Sequence, residues 1–132
     1  NSLLDIRYRG SKINDDDLSI LEQYATYITW LNLSDCQLGL EQLQIISKMK
    51  NLTRLYLQKN PINSKALKPL LELKHLEILN LHSTNVDNEI FDLISSFDNL
   101  KKVFLWNTRL TSKDILKKAN QSENIELIGG LE

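Results

Sequence analysis

The side chains best suited to nucleophilic catalysis in this sequence are one cysteine and two histidines. Cys36 is the only cysteine, and His75 and His82 are the only histidines. A catalytic thiol needs a base within about 3 Å and a lowered pKa. In the repeat described below, His75 falls in a turn, and His82 lies two strands from Cys36, about 10 Å away by strand spacing. The sequence therefore predicts no catalytic dyad and a protein that is not an enzyme.

Three other groups have residue types that bind ions or phosphates. Asp15-Asp16-Asp17 precedes a helical pattern, where acids favour the helix dipole, whereas calcium loops spread their ligands over a longer loop with a glycine kink. Gly129-Gly130 has neither the following helix nor the Lys-Ser or Lys-Thr pair of a phosphate loop. The third group is a set of lysines typical of a solvated face: Lys101, Lys102, Lys113, Lys117 and Lys118. We therefore expect no metal site and no cofactor.

Charge and cysteine content exclude further classes. The 16 basic residues against 17 acidic ones give a net charge of −1, without the strong basic field that binds nucleic acid or anionic membranes. No apolar run approaches the roughly 20 residues of a membrane span, so we expect no direct membrane insertion. One cysteine and no CxxC or CxxCH exclude an internal disulfide framework and a haem attachment site.

Length and composition predict one folded domain. The chain has 132 residues, of which 26 are Leu and 13 are Ile, too apolar a composition for disorder. It begins without Met and has no signal-peptide pattern. We expect residues 1–132 to be a fragment of a larger protein, and Leu131-Glu132 are either native residues or a cloning remnant. The compartment stays undetermined.

A repeat of 24 residues organises the chain. Rows starting at Ile28, Leu52, Leu76 and Leu100 read ITWLNLSDCQL, LTRLYLQKNPI, LEILNLHSTNV and LKKVFLWNTRL. An earlier row starts at residue 3, and a truncated sixth row starts at residue 125, each offset by 25 residues. We number the repeats 1 (3–27), 2 (28–51), 3 (52–75), 4 (76–99) and 5 (100–124). Apolar residues recur at positions one, four, six and eleven, which predicts a short half-buried strand in each repeat.

The pattern LxxLxLxx(N/C/T)x(L/I/V) resembles the leucine-rich repeat family over residues 3 to about 130. The resemblance implies a right-handed β-α solenoid, an α/β fold with a parallel sheet on the concave face and short helices on the convex face. It also implies that position nine holds an inward polar residue bonded to the loop backbone of the adjacent repeat. These structural residues are Cys36, Asn60, Thr84 and Thr108.

The second half of each repeat has the apolar spacing of a helix. Short polar residues that predict helix N-caps precede these segments at Asp15, Ser64, Asp87 and Thr111. Pro69 inside the third segment removes an amide donor, so that helix should start late or bend. Neither end of the array has an obvious polar cap, and we expect flanking protein or a partner chain to cover at least one end.

Positions three, five and seven of each row point away from the core, and polar residues should dominate them if they only faced solvent. Aromatic and apolar residues occur there instead, and Trp, Tyr and Arg concentrate binding energy at interfaces. The predicted partner-binding residues are Trp30, Arg54, Tyr56, Ile78, His82, Phe104 and Trp106. We expect Tyr56 and Ile78 to lean toward Phe104 and Trp106 and form one contiguous patch.

Three hypotheses account for this face. The first is a protein-protein interaction domain that holds a protein or peptide on the concave face. The second is a carbohydrate-recognising module of a larger bacterial surface or redox protein, in which Trp106, Phe104 and Tyr56 stack on sugar rings. The third is that a flanking loop or another domain of the same protein covers the face. The sequence favours the first.

The last rows carry a narrower resemblance. VFLWNTRLTSKDI followed by ENIELIGG is similar to the closing repeats of C-terminal leucine-rich domains in membrane-associated c-type cytochrome proteins of Bacteroidetes and Planctomycetes. The matching residues are Val103, Phe104, Leu105, Trp106, Thr108, Thr111, Asn124, Ile125, Glu126 and Gly129. The resemblance implies a periplasmic or cell-surface protein held at a membrane by regions preceding residue 1. It implies no electron transfer by this chain, which lacks CxxCH.

Overall fold

The computed structural model describes residues 4–7, 12–121 and 124–129, with side chains from residue 12 onward. Its six strands form one parallel sheet in chain order: β1 (Leu4–Arg7), β2 (Ile28–Asn32), β3 (Arg54–Tyr56), β4 (Ile78–Asn80), β5 (Lys102–Phe104) and β6 (Glu126–Ile128). The helices are α1 (Asp15–Gln23), α2 (Leu40–Ile46), α3 (Glu89–Ser95) and α4 (Ser112–Gln121). Two 3₁₀ helices span Ala25–Tyr27 and Lys65–Glu72. Strands and helices alternate, so the predicted α/β fold with a parallel sheet is confirmed.

The sheet register follows the 24-residue period between β2 and β6. Arg54 pairs with Ile78, and Ile78 pairs with Lys102. Each strand therefore places the same repeat position beside its neighbours. This alignment stacks the apolar positions four and six on one face of the sheet.

The strand pairings at the two edges of the sheet have different sequence offsets. Between β1 and β2 the register shifts after Leu4, so that Asp5 pairs with Trp30 across 25 residues. Between β5 and β6 Lys102 pairs with Glu126 across 24 residues. The predicted 25-residue offset to Ile125 is therefore wrong, because Leu127, rather than Ile128, takes the core position beside Val103. Leu3 and Leu131-Glu132 lie outside the described residues.

The core lies between the sheet and the helices. The residues at positions four and six are completely buried: Leu31, Leu33, Leu55, Leu57, Leu79, Leu81, Val103 and Leu105. Helix residues such as Leu43, Ile46 and Leu67 close the core from the other side. No single repeat encloses this apolar set, so burial depends on stacking between repeats.

Two of the four predicted N-cap residues, Ser64 and Thr111, directly precede a helix in the structure. Thr111 Oγ1 accepts from Asp114 N at 3.1 Å at the start of α4, and Ser64 directly precedes the 3₁₀ helix without a capping bond. The other two caps lie one residue later or earlier than predicted. Asn14, not Asp15, accepts from Asp17 N at 2.8 Å, and α3 begins after Asn88 rather than Asp87.

Repeat 3 has a 3₁₀ helix where the other described repeats have α-helices. Pro69 lies inside this segment, Lys65–Glu72, and lacks the amide that an α-helix needs there. Turns of the 3₁₀ type appear at both ends, where Leu67 N donates to Ser64 O and Leu73 N donates to Leu70 O. The predicted disturbance at Pro69 is therefore confirmed, and it affects the whole segment.

The turn that leaves the sheet has the same backbone in four repeats. The residue at position eight has a left-handed conformation each time, with φ between 55° and 61°: Asp35, Lys59, Ser83 and Asn107. None of these residues is glycine, although this region costs an ordinary residue about 1 kcal/mol or more. The surrounding hydrogen bonds therefore hold the turn in place.

Candidate functional site

The candidate site is the outer sheet face, which we define as positions three, five and seven of repeats 2 to 5. Strand alternation directs these side chains away from the core, whose neighbouring positions four and six are completely buried. All seven predicted partner-binding residues are half-buried: Trp30, Arg54, Tyr56, Ile78, His82, Phe104 and Trp106. The side chains therefore cover one another partly and do not stand free in solvent.

Trp106 is the centre of one aromatic cluster on this face. Its ring centroid lies 4.3 Å from that of His82 in the preceding repeat, at an interplanar angle of 32°. Phe104, two residues earlier on the same side, meets it edge-on at 5.8 Å and 79°. This T-shaped geometry is one that aromatic pairs favour. The three rings form one packed unit, which we call the Trp106 cluster.

Hydrogen bonds fix the position of His82 in the cluster. Its Nδ1 lies 3.1 Å from the carbonyl oxygen of Trp106, and because a carbonyl oxygen only accepts, Nδ1–H is the donor. Its backbone amide donates to Asn80 Oδ1 at 3.0 Å. The Ser83 hydroxyl lies 3.2 Å from Nδ1 and 3.3 Å from Nε2. His82 therefore links the Trp106 turn to its own turn.

A second pair lies toward β2. Trp30 and Arg54 are register partners on β2 and β3, and the guanidinium carbon of Arg54 lies 4.0 Å from the centroid of the Trp30 ring. This is a cation-π contact. Arg54 therefore covers part of the Trp30 ring and presents a positive charge beside it.

The predicted contiguous patch is divided. Tyr56 pairs in register with Asn80, and Asn80 pairs with Phe104, so an amide side chain separates the two aromatic residues along position five. Within the described part of the chain, the ring contacts connect Trp106 with His82 and Phe104 but do not include Tyr56. Ile78 lies between Arg54 and Lys102 along position three. The structure thus forms two clusters with Tyr56 and Ile78 between them.

Ile128, in the partial sixth row, adjoins the outer sheet face and is not among the residues predicted from the sequence. It pairs with Phe104 in the β5–β6 register and is half-buried. The assumed 25-residue offset gave it core position four, whereas the observed 24-residue offset gives it position five. Continuing the 24-residue period beyond Phe104 identifies Ile128 from the sequence alone. Ile128 extends the apolar surface of the Trp106 cluster by one strand.

Gln58 brings an unsatisfied polar atom to the outer sheet face. It occupies position seven of repeat 3, between Ser34 and His82 at the same position of the adjacent repeats. Its Oε1 is buried and has no hydrogen-bond partner among the described residues. A buried acceptor without a donor costs about 1 to 3 kcal/mol.

The side chains at position nine differ in whether they bond to a neighbouring repeat or to their own repeat. Asn60 Oδ1 accepts from Cys36 N and Leu38 N of repeat 2, at 3.0 and 3.1 Å. Its Nδ2 donates to Leu33 O of repeat 2 and to Leu57 O of its own repeat, at 2.9 and 3.0 Å. Asn60 therefore has the cross-repeat bonds that the resemblance implied.

The Thr84 and Thr108 side chains bond within their own repeats, which corrects the expected pattern at these two positions. Cys36 Sγ donates to Ser34 O, Thr84 Oγ1 to Leu81 O and Thr108 Oγ1 to Leu105 O. These three hydrogen bonds reach a carbonyl two or three residues back. Cys36 is completely buried.

Other chemistry-bearing groups do not assemble in the described ranges. Residues 4–7, 12–121 and 124–129 contain no group of three or more His, Cys, Asp and Glu side chains able to hold a metal. Across the same ranges, every helix is too short or too polar to cross a bilayer. His75 is exposed in its turn.

The comparisons with known proteins give one family match. Residues 48–71 match the family model described as Leucine Rich repeat. This 24-residue segment contains β3, Asn60 and most of the 3₁₀ helix, and it supports the leucine-rich repeat family. No curated protein matches the chain significantly. Neither comparison supports the c-type cytochrome context, which stays a prediction from the last rows of the sequence.

Proposed function

We propose that this chain is a non-catalytic binding module that holds a protein or peptide on its outer sheet face. In this proposal residues 1–132 form one leucine-rich repeat domain of five full repeats and a partial sixth. The chain is a right-handed solenoid, and the outer sheet face is its concave side. Leucine-rich repeat proteins are typically non-enzymatic and generally bind protein partners, which supports the proposal. The partner is either a separate protein or another domain of the same full-length protein.

The observation that carries the proposal is the Trp106 cluster. The contacts with His82 and Phe104 hold the Trp106 ring in place before any partner arrives. A side chain that is already ordered loses little conformational entropy on binding, which leaves more of the contact energy as affinity. Tryptophan is also among the residue types most enriched in interface hot spots. Trp106 is therefore the proposed central anchor.

The surroundings of the cluster favour a polypeptide partner over a sugar. His82 occupies one face of the Trp106 ring, and the 79° angle of Phe104 prevents the two rings from presenting a common flat platform. Ile128 beside Phe104 adds an aliphatic surface. An apolar side chain of a polypeptide matches these features.

The experiment selects peptides from a random displayed library against the immobilised 132-residue chain and measures their affinity for variants. Trp106→Ala should weaken binding by at least about thirtyfold, the loss typical of a hot-spot residue. Tyr24→Ala is the matched control, because Tyr24 is an exposed aromatic residue outside the sheet. It should leave the affinity unchanged.

Thermal unfolding of the same variants separates binding from folding. Retained stability with lost affinity in Trp106→Ala supports the proposal. A large loss of stability would instead mean that Trp106 mainly packs within the protein. A glycan-array signal that Trp106→Ala abolishes would favour the carbohydrate alternative, and equal loss in both variants would contradict the assignment of the outer sheet face.

A further inference from the structure

The two charged side chains of the outer sheet face differ in their ionic partners. Arg54 and Lys102 occupy position three of repeats 3 and 5, and Ile78 lies between them in the sheet register. The Lys102 ammonium lies 3.8 Å from the Glu126 carboxylate. In the part of the chain that the structure describes, the Arg54 guanidinium forms no ion pair and no hydrogen bond, and its contact is with the Trp30 ring. Arg54 is therefore a positive charge that these residues leave unneutralised.

Trp30 holds the Arg54 head group and leaves its hydrogen-bond donors available. The guanidinium carbon lies 4.0 Å from the centroid of the Trp30 ring, so the cation rests on the ring face. A guanidinium has five N–H donors, which point outward in its own plane, and an indole ring has no oxygen or nitrogen acceptor for them. This fork of donors matches the two oxygens of a carboxylate. A carboxylate can therefore bind Arg54 without displacing Trp30.

The neighbours of Arg54 strengthen its attraction for an anion. The side chain is half-buried, with Trp30 and Ile78 on either side of it along position three and Tyr56 two residues later on the same face. Such neighbours reduce the water around the charge, and an ion pair is stronger where less water screens it. A partner without an acid would cover the guanidinium and leave it unpaired, which costs binding energy. The complementary group for Arg54 is therefore a carboxylate.

The distance from Arg54 to Trp106 sets the spacing that a partner needs. Equal repeat positions are register partners from β3 to β5, and Ser83 N donates to Trp106 O at 3.1 Å, so the pairing continues to position seven. Trp106 therefore lies two strands across and four residues along from Arg54, about 10 Å by about 13 Å, or about 16 Å between the two Cα atoms. About five residues of extended chain span this distance. Because side chains of an extended chain alternate in direction, residues four or six apart face the same way.

From these features we propose that the partner is an extended peptide that places an Asp or Glu carboxylate on Arg54 and an apolar side chain on the Trp106 cluster. The two peptide residues are four or six positions apart. Both oxygens of the carboxylate accept from the Arg54 guanidinium, which stays on the Trp30 ring. The proposal rests on the binding function proposed above and adds the chemistry that selects the peptide. Trp106 is the anchor in this arrangement, and Arg54 determines the specificity.

Peptides from the random displayed library give the first test. Those that bind the original chain and depend on Trp106 should be enriched in Asp or Glu four or six residues from an apolar residue. One such peptide is synthesised with an acetylated N-terminus and an amidated C-terminus, so that its carboxylates all belong to side chains. Replacing the spaced acid with its amide, Asn or Gln, should weaken binding to the original protein by about tenfold or more, the loss typical of a hydrogen bond to a charged group. An unchanged affinity would overturn the proposal.

Two single-site variants test the protein side of the ion pair, with isothermal titration calorimetry as the measurement. Arg54→Gln should weaken binding of the acidic peptide by about tenfold or more, because an amide replaces the charged fork. Lys102→Gln is the matched control, since it removes the same charge from the same repeat position and the Lys102 ammonium already faces Glu126. Its loss should be at most about threefold. Equal losses would mean that the total charge of the face attracts the peptide, which contradicts a pair with Arg54.

A double-mutant cycle tests whether the two charged groups meet. Arg54→Gln and the amide peptide each remove one partner, so combining them should weaken binding little further than either change alone. Losses that multiply would mean that the two groups act separately, and the proposal would be wrong. Thermal unfolding establishes whether Arg54→Gln is folded. If it is not, the amide peptide measured against the original protein still decides.

Trp106→Ala distinguishes the failure of this proposal from the failure of the proposed function. If Trp106→Ala weakens binding while Arg54→Gln and the amide peptide do not, the outer sheet face binds its partner without the ion pair and this proposal is wrong. If neither protein variant alters the affinity, the peptides bind elsewhere, and the proposed function is wrong as well. Loss in both variants, with Lys102→Gln nearly unchanged, supports both.

Discussion

The turns after β3 and β4 occupy the same place in consecutive repeats but are held differently. Both leave the sheet through a left-handed residue, Lys59 with φ 61° and Ser83 with φ 58°. Asn60 then bonds to the backbone of repeats 2 and 3, whereas the Thr84 hydroxyl bonds only to Leu81 of its own repeat. Both side chains are buried. Equal burial at equivalent positions therefore does not mean equal coupling between repeats.

The difference follows from the size and chemistry of the two side chains. The Asn60 amide has an acceptor and two donor hydrogens at a distance from the backbone, which lets it satisfy groups on both sides of a repeat junction. The threonine hydroxyl is one atom from Cβ and has one donor hydrogen. Other residues compensate in part at the repeat 3–4 junction. Ser64 Oγ donates to Asp87 Oδ1 at 3.0 Å and accepts from Asp87 N at 3.1 Å.

The largest effect is expected for Asn60→Ala. Two buried amides, Cys36 N and Leu38 N, lose their acceptor, at about 1 to 3 kcal/mol each, so unfolding free energy should fall by about 4 kcal/mol. Equilibrium denaturation in urea measures this change. A loss below about 1 kcal/mol would mean that water satisfies these amides and that Asn60 does not couple the repeats.

Leu55→Ala and Leu79→Ala test whether packing, rather than the polar residue, distinguishes the two repeats. Both leucines are completely buried and pair in register. Each substitution should cost about 3 kcal/mol, within the usual range for a buried leucine, and the two losses should agree closely. Urea denaturation of the pair gives the comparison. Clearly unequal losses of unfolding free energy would mean that core packing, rather than the turns, distinguishes the two repeats.

Thr84→Ala should have a smaller effect than Asn60→Ala. It removes a 2.7 Å hydrogen bond to Leu81 O, with an expected loss of about 1 kcal/mol. The midpoint of urea unfolding, with the slope unchanged, reports this loss. If Thr84→Ala lowered the unfolding free energy as much as Asn60→Ala, the cross-repeat hydrogen bonds of Asn60 would not explain the difference between the two turns.

The smallest effect, with the opposite sign, is expected for Lys59→Gly. Lys59 is exposed and left-handed, so glycine relieves backbone strain, partly offset by greater freedom of the unfolded chain. The expected gain is about 0.5 kcal/mol. Ser83→Gly is the contrasting variant, because the Ser83 hydroxyl accepts from Asn107 Nδ2 at 2.7 Å. Thermal unfolding should rank Lys59→Gly above the original protein and Ser83→Gly below Lys59→Gly.

Much of the fold was predictable from local spacing. The 24-residue period predicted the strands of repeats 2 to 5 and the burial of residues such as Leu55 and Leu79, because position within a strand decides which face a side chain takes. Pro69 predicted the disturbed helix through its missing amide. The residue types of the outer sheet face were also predictable. The polar Asn80 between Tyr56 and Phe104 indicated that the aromatic residues are divided, but the prediction of one contiguous patch did not take it into account.

The missed features depend on contacts between repeats. Ile128 was misplaced because one residue of offset moves a side chain to the other face of the sheet. The ring contacts of Trp106 depend on side-chain rotation, which residue spacing does not specify.

The sequence by itself determined the repeat length, the alternation of strand and helix, and the residue types of each face. These properties follow from the local periods of 2 and 3.6 residues. Only the tertiary structure decided the register at the sheet edges, the partners of Asn60 and the grouping of His82, Phe104 and Trp106. The physical reason is that such contacts join atoms of neighbouring repeats, and their geometry depends on how the repeats stack. The residue at a repeat position therefore specifies the chemistry available there, and the stacked neighbour specifies how that chemistry is used.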